Sequence, residues 1–404
     1  MASPPKAERY KLPFPRRYLD RRAVSIVRQL QEAGFESYLV GGCVRDLLLG
    51  SRPKDFDIAT AARPHQVRRL FRRSRIIGRR FKIVHVHMGR DFYEVATFRA
   101  APEETECEEV ETIKRDNDYG PSWEDANRRD FTVNGLFLDP VAEEIVDWVH
   151  GMRDIEAGVL HTIGDPEVRF PEDPVRILRL IKFMRRLDLS PGDAEIRAAK
   201  NHAERLSESA PARLAEEVFR LLATRQAAGV WDDVQALGLE KFLIPELQGW
   251  LHQDEAHGRE LAKRFDALDQ MAAEGFETDY AFSLAVLFGP WVEQEFDPAR
   301  RTLRVNEFSQ VASALTGEFQ QRARLPRFAV TFANRILAAQ LRLDPPEFLG
   351  SKGQRRWNFK GMAGQEWFPQ AMDYLKLRLI ASGRNLKIYE DWREKDLSLK
   401  RKDS

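Results

Sequence analysis

Near residue 151 the period of the apolar residues changes, and this limits what the chain can fold into more than any other feature. Before it, short apolar or alternating runs read as strands between short helices; after it, helical spacing takes over. Residues 20–33 place Val24, Val27, Leu30 and Ala33 on one helical face, and Gly34 stops the helix. Ser37 to Val40 reads as a buried strand ending at Gly41-Gly42, Arg45 to Leu49 as a helical turn, and Asp55 to Thr60 as a second strand. Pro64 opens a helix, where its fixed φ and missing N–H cost nothing. Lys82 to Met88 and Phe92 to Phe98 read as strands, and residues 100–122 as a long polar loop. Farther on, Pro174 opens a helix over 174–187 with Ile177, Leu180, Ile181, Met184 and Leu187 on one face and Arg179, Lys182 and Arg186 opposite. Amphipathic helices follow from about 212 to 385, and the charged end, WREKDLSLKRKDS, is expected to fray. The predicted fold class is α+β: a small head with a mixed sheet, then an all-α remainder.

A length of 404 residues predicts two or three domains. No run of about 18 apolar residues occurs, so no transmembrane helix is expected. The start, MASPPKAERYKLPFPRR, has no apolar signal core and reads as a loose arm. The two cysteines, Cys43 and Cys107, lack metal-type spacing; they exclude a disulfide framework and fit a reducing cytoplasm. A formal charge of +1 says nothing about nucleic acid, but residues 68–82 hold eight basic residues and no acidic one. Such a run is a solvated face or a surface for an RNA backbone. Residues 103–111, EETECEEVE, are acidic.

The strongest chemical signal is Asp55-Phe56-Asp57. On a strand, residues two apart share a face, and two carboxylates there repel unless a cation lies between them. Magnesium takes one or two carboxylates plus substrate phosphates, and paired ions serve in-line displacement at phosphorus. A charged strand edge is the alternative. Just upstream, Gly41-Gly42 permits close approach of backbone to phosphate, and Arg45 offers a phosphate fork.

The string LVGGCVRDLLLGSRPKDFDIAT at 39–60 resembles the signature of the class II nucleotidyltransferases, which include bacterial poly(A) polymerases and tRNA CCA-adding enzymes within the polymerase-β superfamily. EVATFR at 94–99, RRDFTVNGL at 128–136 and EDPVRILR at 172–179 resemble later motifs in the same order. The resemblance implies a polymerase-β-like catalytic head over 20–150 after an arm at 1–19. It further implies a base-recognising neck over 151–215, an RNA-binding helical body and tail over 216–390, and a charged end at 391–404. Asp55 and Asp57 match the metal-binding carboxylates, and Asp130 matches a further catalytic position. From the residues alone Glu94 competes for that third place, with Asp130 preferred. Gly41, Gly42 and Arg45 match nucleotide-contacting positions, and Arg129, Asp130 and Asn134 match the group that reads the ribose 2′-hydroxyl. Glu172, Asp173, Arg176 and Arg179 match the base-reading positions, with plain helix capping as the alternative for the two acids. Lys182 stands where the family usually has arginine, so a bidentate contact is lost.

RIIGRRFKIVHVHM at 75–88, its lead-in HQVRRLFRRS and RDN at 115–117 resemble the bacterial poly(A) polymerase form rather than the CCA-adding form. The resemblance implies addition of AMP from ATP to RNA 3′ ends, with two Mg2+ ions, by a monomer in the cytoplasm. A tRNA-end enzyme, and an RNA-binding adaptor on a dead scaffold, are the alternatives. The short C-terminus lacks an arginine-rich extension. His85 and His87 are expected to belong to a packed strand rather than a metal site, and His252 and His257 to the surface. Trp148 and Trp250 are expected in the core, and no serine or cysteine nucleophile constellation is present.

Overall fold

A computed structural model describes residues 5–78, 82–100, 119–296, 305–344 and 359–403. The acidic stretch at 103–111, Cys107 and the RDN at 115–117 lie outside these residues. The chain forms two compact units, residues 1–172 with 189–198, and residues 173–188 with 199–404.

The first unit is built on an eight-stranded sheet of order β1-β8-β7-β2-β3-β6-β5-β4. The strands are β1 (Glu8–Lys11), β2 (Ser37–Val40), β3 (Asp57–Thr60), β4 (Ser74–Ile77), β5 (Ile83–Met88), β6 (Asp91–Thr97), β7 (Phe137–Asp139) and β8 (Glu144–Asp147). Only the β3–β6 pair is parallel. One face carries Leu39, Ile58, Val84, Val86 and Val95. It packs against Val24, Val27 and Leu30 of α1 (Arg21–Glu32), Val44 and Leu47 of α2 (Gly42–Leu48) and Val67 of α3 (Pro64–Leu70). Asp20 caps α1 by accepting from the N–H groups of Arg22 and Ala23. On the opposite face Tyr38, Val40, Ala59, Phe98 and Phe137 form a second cluster with Ala126 of α4 (Ser122–Asn127).

Several expectations need correction. The supposed arm contains β1, which pairs with β8 from Glu8↔Asp147 to Lys11↔Glu144. The helix after the double glycine starts at Gly42 rather than Arg45, and β3 starts at Asp57, leaving Asp55 just ahead of it. The head does not stop at 150. In α5 (Gly151–Ala157), Gly151 lies so near the turn at Thr132–Asn134 that a Cβ would sit 2.3 Å from the Thr132 carbonyl oxygen. A two-stranded ribbon of β9 (Val159–Leu160) and β10 (Ser190–Pro191), and the helix α6 (Pro166–Glu172), also belong to this unit.

The described part of the second unit is helical. It contains α7 (Val175–Leu187), most of its length buried, against α9 (Pro211–Leu222) and α10 (Ala227–Ala236), with α8 (Asp193–Asn201) shared between units. Lys182 is not on a solvent face of α7: its ammonium pairs with Glu217 of α9 at 3.0 Å, and both side chains are largely covered. Then come α11 (Glu240–Leu243), α12 (Pro245–Gln253), α13 (Glu255–Ala273), α14 (Tyr280–Glu295), α15 (Val305–Ala323), α16 (Arg327–Leu343), α17 (Phe359–Ala363), α18 (Phe368–Ala381) and α19 (Lys387–Asp403). Glu293 of α14 accepts from Arg264 of α13 at 2.9 Å and from the Tyr374 hydroxyl of α18 at 3.2 Å, and Arg378 lies 3.3 Å away. The end of the chain is not frayed over its described part. Trp392 in α19 stacks on Phe359 with centroids 5.1 Å apart and donates to the Leu343 carbonyl at 2.8 Å. His257 is buried, not a surface residue; it stacks on Trp250 and its Nδ1 lies 2.6 Å from the Trp250 carbonyl oxygen. No helix among the described residues is long and apolar enough to cross a membrane.

Candidate active site

The site grows from the middle of the first unit's sheet. Val40 of β2 pairs with Asp57 of β3, so the Gly41-Gly42 step lies beside the start of β3. Gly41 has φ +71°, and a Cβ there would lie 3.0 Å from an Arg129 Nη, so both the turn and the close approach ask for glycine. On the other side of β3, the parallel register Ile58↔Val95 places Asp57 abreast of Glu94. Phe56 packs into the helix-covered core, while Asp55 and Asp57 are exposed.

Asp57, Glu94, Arg99, Asp125, Arg128 and Arg129 line a cleft of about 290 Å³ whose floor includes Ala59, Ile83 and Ala96. Asp57 is exposed, yet the cleft wall crowds around it and displaces part of its water. That loss of water, and next the charge of Glu94, raise its pKa above the ordinary value; Arg129 opposes the rise and Asp55 adds to it. Arg129 donates to Asp125 at 3.0 Å, and its guanidinium lies over the Phe137 ring at 5.1 Å. Arg169 of α6 donates to the carbonyls of Arg128 and Arg129 at 3.1 and 3.0 Å, fixing the segment that carries them.

Three expected site residues stand back from this cleft as a buried chain. Arg45 is 3% exposed; it pairs with Asp46 at 2.6 Å and donates to Asn134 Oδ1 at 2.6 Å. Asn134 Nδ2 in turn donates to Asp130 Oδ1 at 3.0 Å, and the same oxygen accepts from the Phe131 N–H at 2.9 Å. Asp130 therefore faces its own backbone, whereas Glu94 shares the cleft with Asp57. Arg99, Asp125 and Arg128 were not singled out from the sequence. The spacing of Asp125 and Arg129, four apart on a helical stretch, was the one available sign of their ion pair.

Glu172 ends α6 in the first unit and pairs with Arg169 at 2.7 Å. Asp173, Arg176 and Arg179 belong to the second unit. There Arg213 holds one oxygen of Asp173 at 2.7 Å, the other oxygen is buried without a hydrogen-bond partner among the described residues, and Arg179 lies over the Phe183 ring. His85 lies 3.3 Å from Glu94, and among the described residues no group of three His, Cys, Asp or Glu side chains is set closely enough to hold a metal ion by itself. The Cys43 thiol, at the start of α2, is buried and donates to the Val40 carbonyl; burial, then the charge of Asp57, pushes its pKa up to about 12, so it is no nucleophile.

A mixed sheet with acids abreast on a parallel strand pair, a glycine turn beside them and a helical second unit are the parts of a nucleotidyltransferase. The family described as Poly A polymerase head domain matches residues 37–161, and that described as Probable RNA and SrmB- binding site of polymerase A matches residues 195–251. Poly(A) polymerase I of Salmonella typhi is 34% identical over 377 residues, covering 90% of this chain and 79% of that protein. Poly(A) polymerase I of Haemophilus influenzae is 41% identical over 284 residues, or 67% of this chain; the match spans 62% of that relative's length. Among solved structures, the Bacillus stearothermophilus CCA-adding enzyme in complex with CTP is similar, with TM-score 0.68 and 25% identity, covering 93% of this chain and 80% of that one. The chain belongs to the class II nucleotidyltransferases, the family of bacterial poly(A) polymerases and CCA-adding enzymes.

Proposed function

We propose that this protein is a poly(A) polymerase, adding AMP from ATP to RNA 3′ ends without a template and releasing pyrophosphate. The observation that carries the reading is Asp57 and Glu94 standing abreast in a cleft, with Asp55 near enough to act on Asp57 and the Gly41 turn alongside. Two relatives named Poly(A) polymerase I, at 41% and 34% identity, favour adenylate addition to RNA over other family activities.

The donors are all carboxylate oxygens, which suits magnesium, and the raised pKa of Asp57 marks a surplus of negative charge that a divalent cation would relieve. Two of these carboxylates, Asp57 with Asp55 or with Glu94, would hold it, with water and phosphate completing the shell. When bound, magnesium would supply the charge that activates the RNA 3′-hydroxyl and neutralises the triphosphate. Arg129, anchored by Asp125, offers positive charge beside Asp57 for the triphosphate. The Gly41-Gly42 backbone leaves room for phosphate oxygens. Arg45, Asn134 and Asp130 serve by holding one another, so that the wall meeting the ribose is already ordered before substrate arrives. In the second unit, the open acceptor of Asp173 is suited to an exocyclic amine, with Arg176 and Arg179 as donors to ring acceptors.

The likeness to a CCA-adding enzyme supports a second reading, completion of tRNA ends. One assay separates them: each of the four nucleoside triphosphates is offered alone with an unstructured RNA and with a tRNA lacking its terminus. Long adenylate tails on the first RNA are the expected result. Addition of only one to three residues, confined to the tRNA, would overturn the proposal.

A further inference from the structure

The face of the sheet that carries Asp57 and Glu94 does not end at the nucleotide-sized cleft. Along β6, residues two apart share that face at about 7 Å intervals. Ala96 lies on the cleft side of Glu94, and Phe92 lies on the other side. Phe92 is 52% exposed, unusual for a large aromatic ring on a sheet. Its ring stacks on His85 with centroids 4.4 Å apart and planes 15° apart, and it lies opposite His87 in the β5–β6 ladder. The next strand outward is β4, where Arg75 pairs with His85, two strand spacings or about 10 Å from Glu94. The Arg73 carbonyl continues the ladder by accepting from the His87 N–H. Arg73 and Arg75 are both exposed, and no ion pair among the described residues engages either. Ile76, Val84, Val86 and Tyr93 point into the core on the reverse side, so this face is left to solvent.

We propose that Phe92, with His85 and His87, and the arginines Arg73 and Arg75 form a platform for single-stranded RNA just upstream of its reacting 3′ end. The carboxylates then lie between two sites on one face: the cleft for the incoming nucleotide on one side and the primer on the other. The chemistry is that of sequence-tolerant single-strand binding, in which aromatic faces stack bases and neighbouring arginines meet phosphates. A duplex cannot use the rings, because its bases are already stacked on one another. This inference rests on the proposed polymerase activity for the direction of the strand, but the binding surface is testable without it.

The test is equilibrium binding of a short single-stranded RNA to the full chain without ATP or metal. A 2-aminopurine near the RNA 3′ end reports stacking. Phe92→Ala should weaken binding roughly 10-fold, within the range for one stacked base, and abolish the change in 2-aminopurine emission. Phe92→Trp should restore both. Replacing Arg73 and Arg75 together by alanine should reduce the slope of log K against log salt by about 1.4, or about 0.7 for each lost contact on a single strand. In the extension assay these variants should raise the KM for RNA and leave the KM for ATP near that of the parent. Unchanged RNA affinity in Phe92→Ala, or an equal loss on a blunt RNA duplex, would overturn the platform. These outcomes do not depend on whether the chain makes adenylate tails, so failure of either reading shows separately.

Discussion

Glu293 in the second unit and Asp57 in the first stand in opposite electrostatic surroundings. In the second unit, burial alone would push the Glu293 carboxyl up, yet Arg264, Arg378 and a hydrogen bond from Tyr374 hold it below the usual carboxylate range. The packing around this network is close: a Cβ on Gly289 would lie 1.9 Å from the Tyr374 hydroxyl oxygen. In the first unit, Asp57 has two acidic neighbours and only the partial compensation of Arg129, and its pKa is raised. Glu293 is matched by cations within the chain. Asp57 is left with a surplus of negative charge that a bound cation would relieve.

The sharpest way to break this contrast is to remove the acids themselves. Asp55→Ala or Asp57→Ala should lower nucleotide addition by at least about 1,000-fold, of the order expected when electrostatic stabilisation of a transition state is lost. Circular dichroism should show the fold unchanged. Glu293→Ala should leave buried Arg264 with Glu260 as its one remaining acidic partner and cost about 3 kcal/mol in a denaturant titration. A loss below about 1 kcal/mol would mean that the network is ornamental.

Asp373 sharpens the comparison from the other side, because it is an acid of the helical unit without a close partner. Burial, only partly opposed by Lys376, raises its pKa to about 6. Its folded pKa lies above the unfolded one, so its favourable contribution is complete below about pH 4 and fades as pH rises through 6. Asp373→Asn should therefore flatten this segment of the stability–pH curve and stabilise the protein at pH 8, by at most about 3 kcal/mol at 1.36 kcal/mol per pKa unit. The smallest effect concerns Asp57→Asn, which removes repulsion from Glu94 and Asp55 as well as activity. Its sign is the informative part: the thermal midpoint should rise, by about 1–2 °C, while tail synthesis disappears. A fall would mean that Asp57 is stabilising and that the contrast between the units is wrong.

Much of the head was legible because its signals are local. Gly34, Pro64 and the run from Ser37 to Val40 each act through their own backbone, and the elements they bound came out nearly as read. Glu8–Lys11 was missed because ERYK has little apolar content and becomes a strand only by pairing with residues more than a hundred positions away. The choice between Glu94 and Asp130 had the same origin. Chain order offers both, but only the parallel register of β3 and β6 sets Glu94 beside Asp57, and only the fold turns Asp130 toward the Phe131 N–H. Lys182 was assigned to the wet side of its helix because helical spacing cannot reveal that Glu217 waits in α9 to receive it. The charged C-terminus likewise gave no sign that Trp392 would anchor it on Phe359.

The sealed thiol of Cys43 has a practical consequence. It sits one residue past the double glycine, bonded to the end of β2 where Val40 pairs with Asp57, and its burial keeps reagents away. With Cys107 replaced by serine, alkylation of Cys43 becomes a clock for opening of that one corner of the molecule. Bound nucleotide should slow the clock, and the rate would follow the breathing of the proposed active site without any added label.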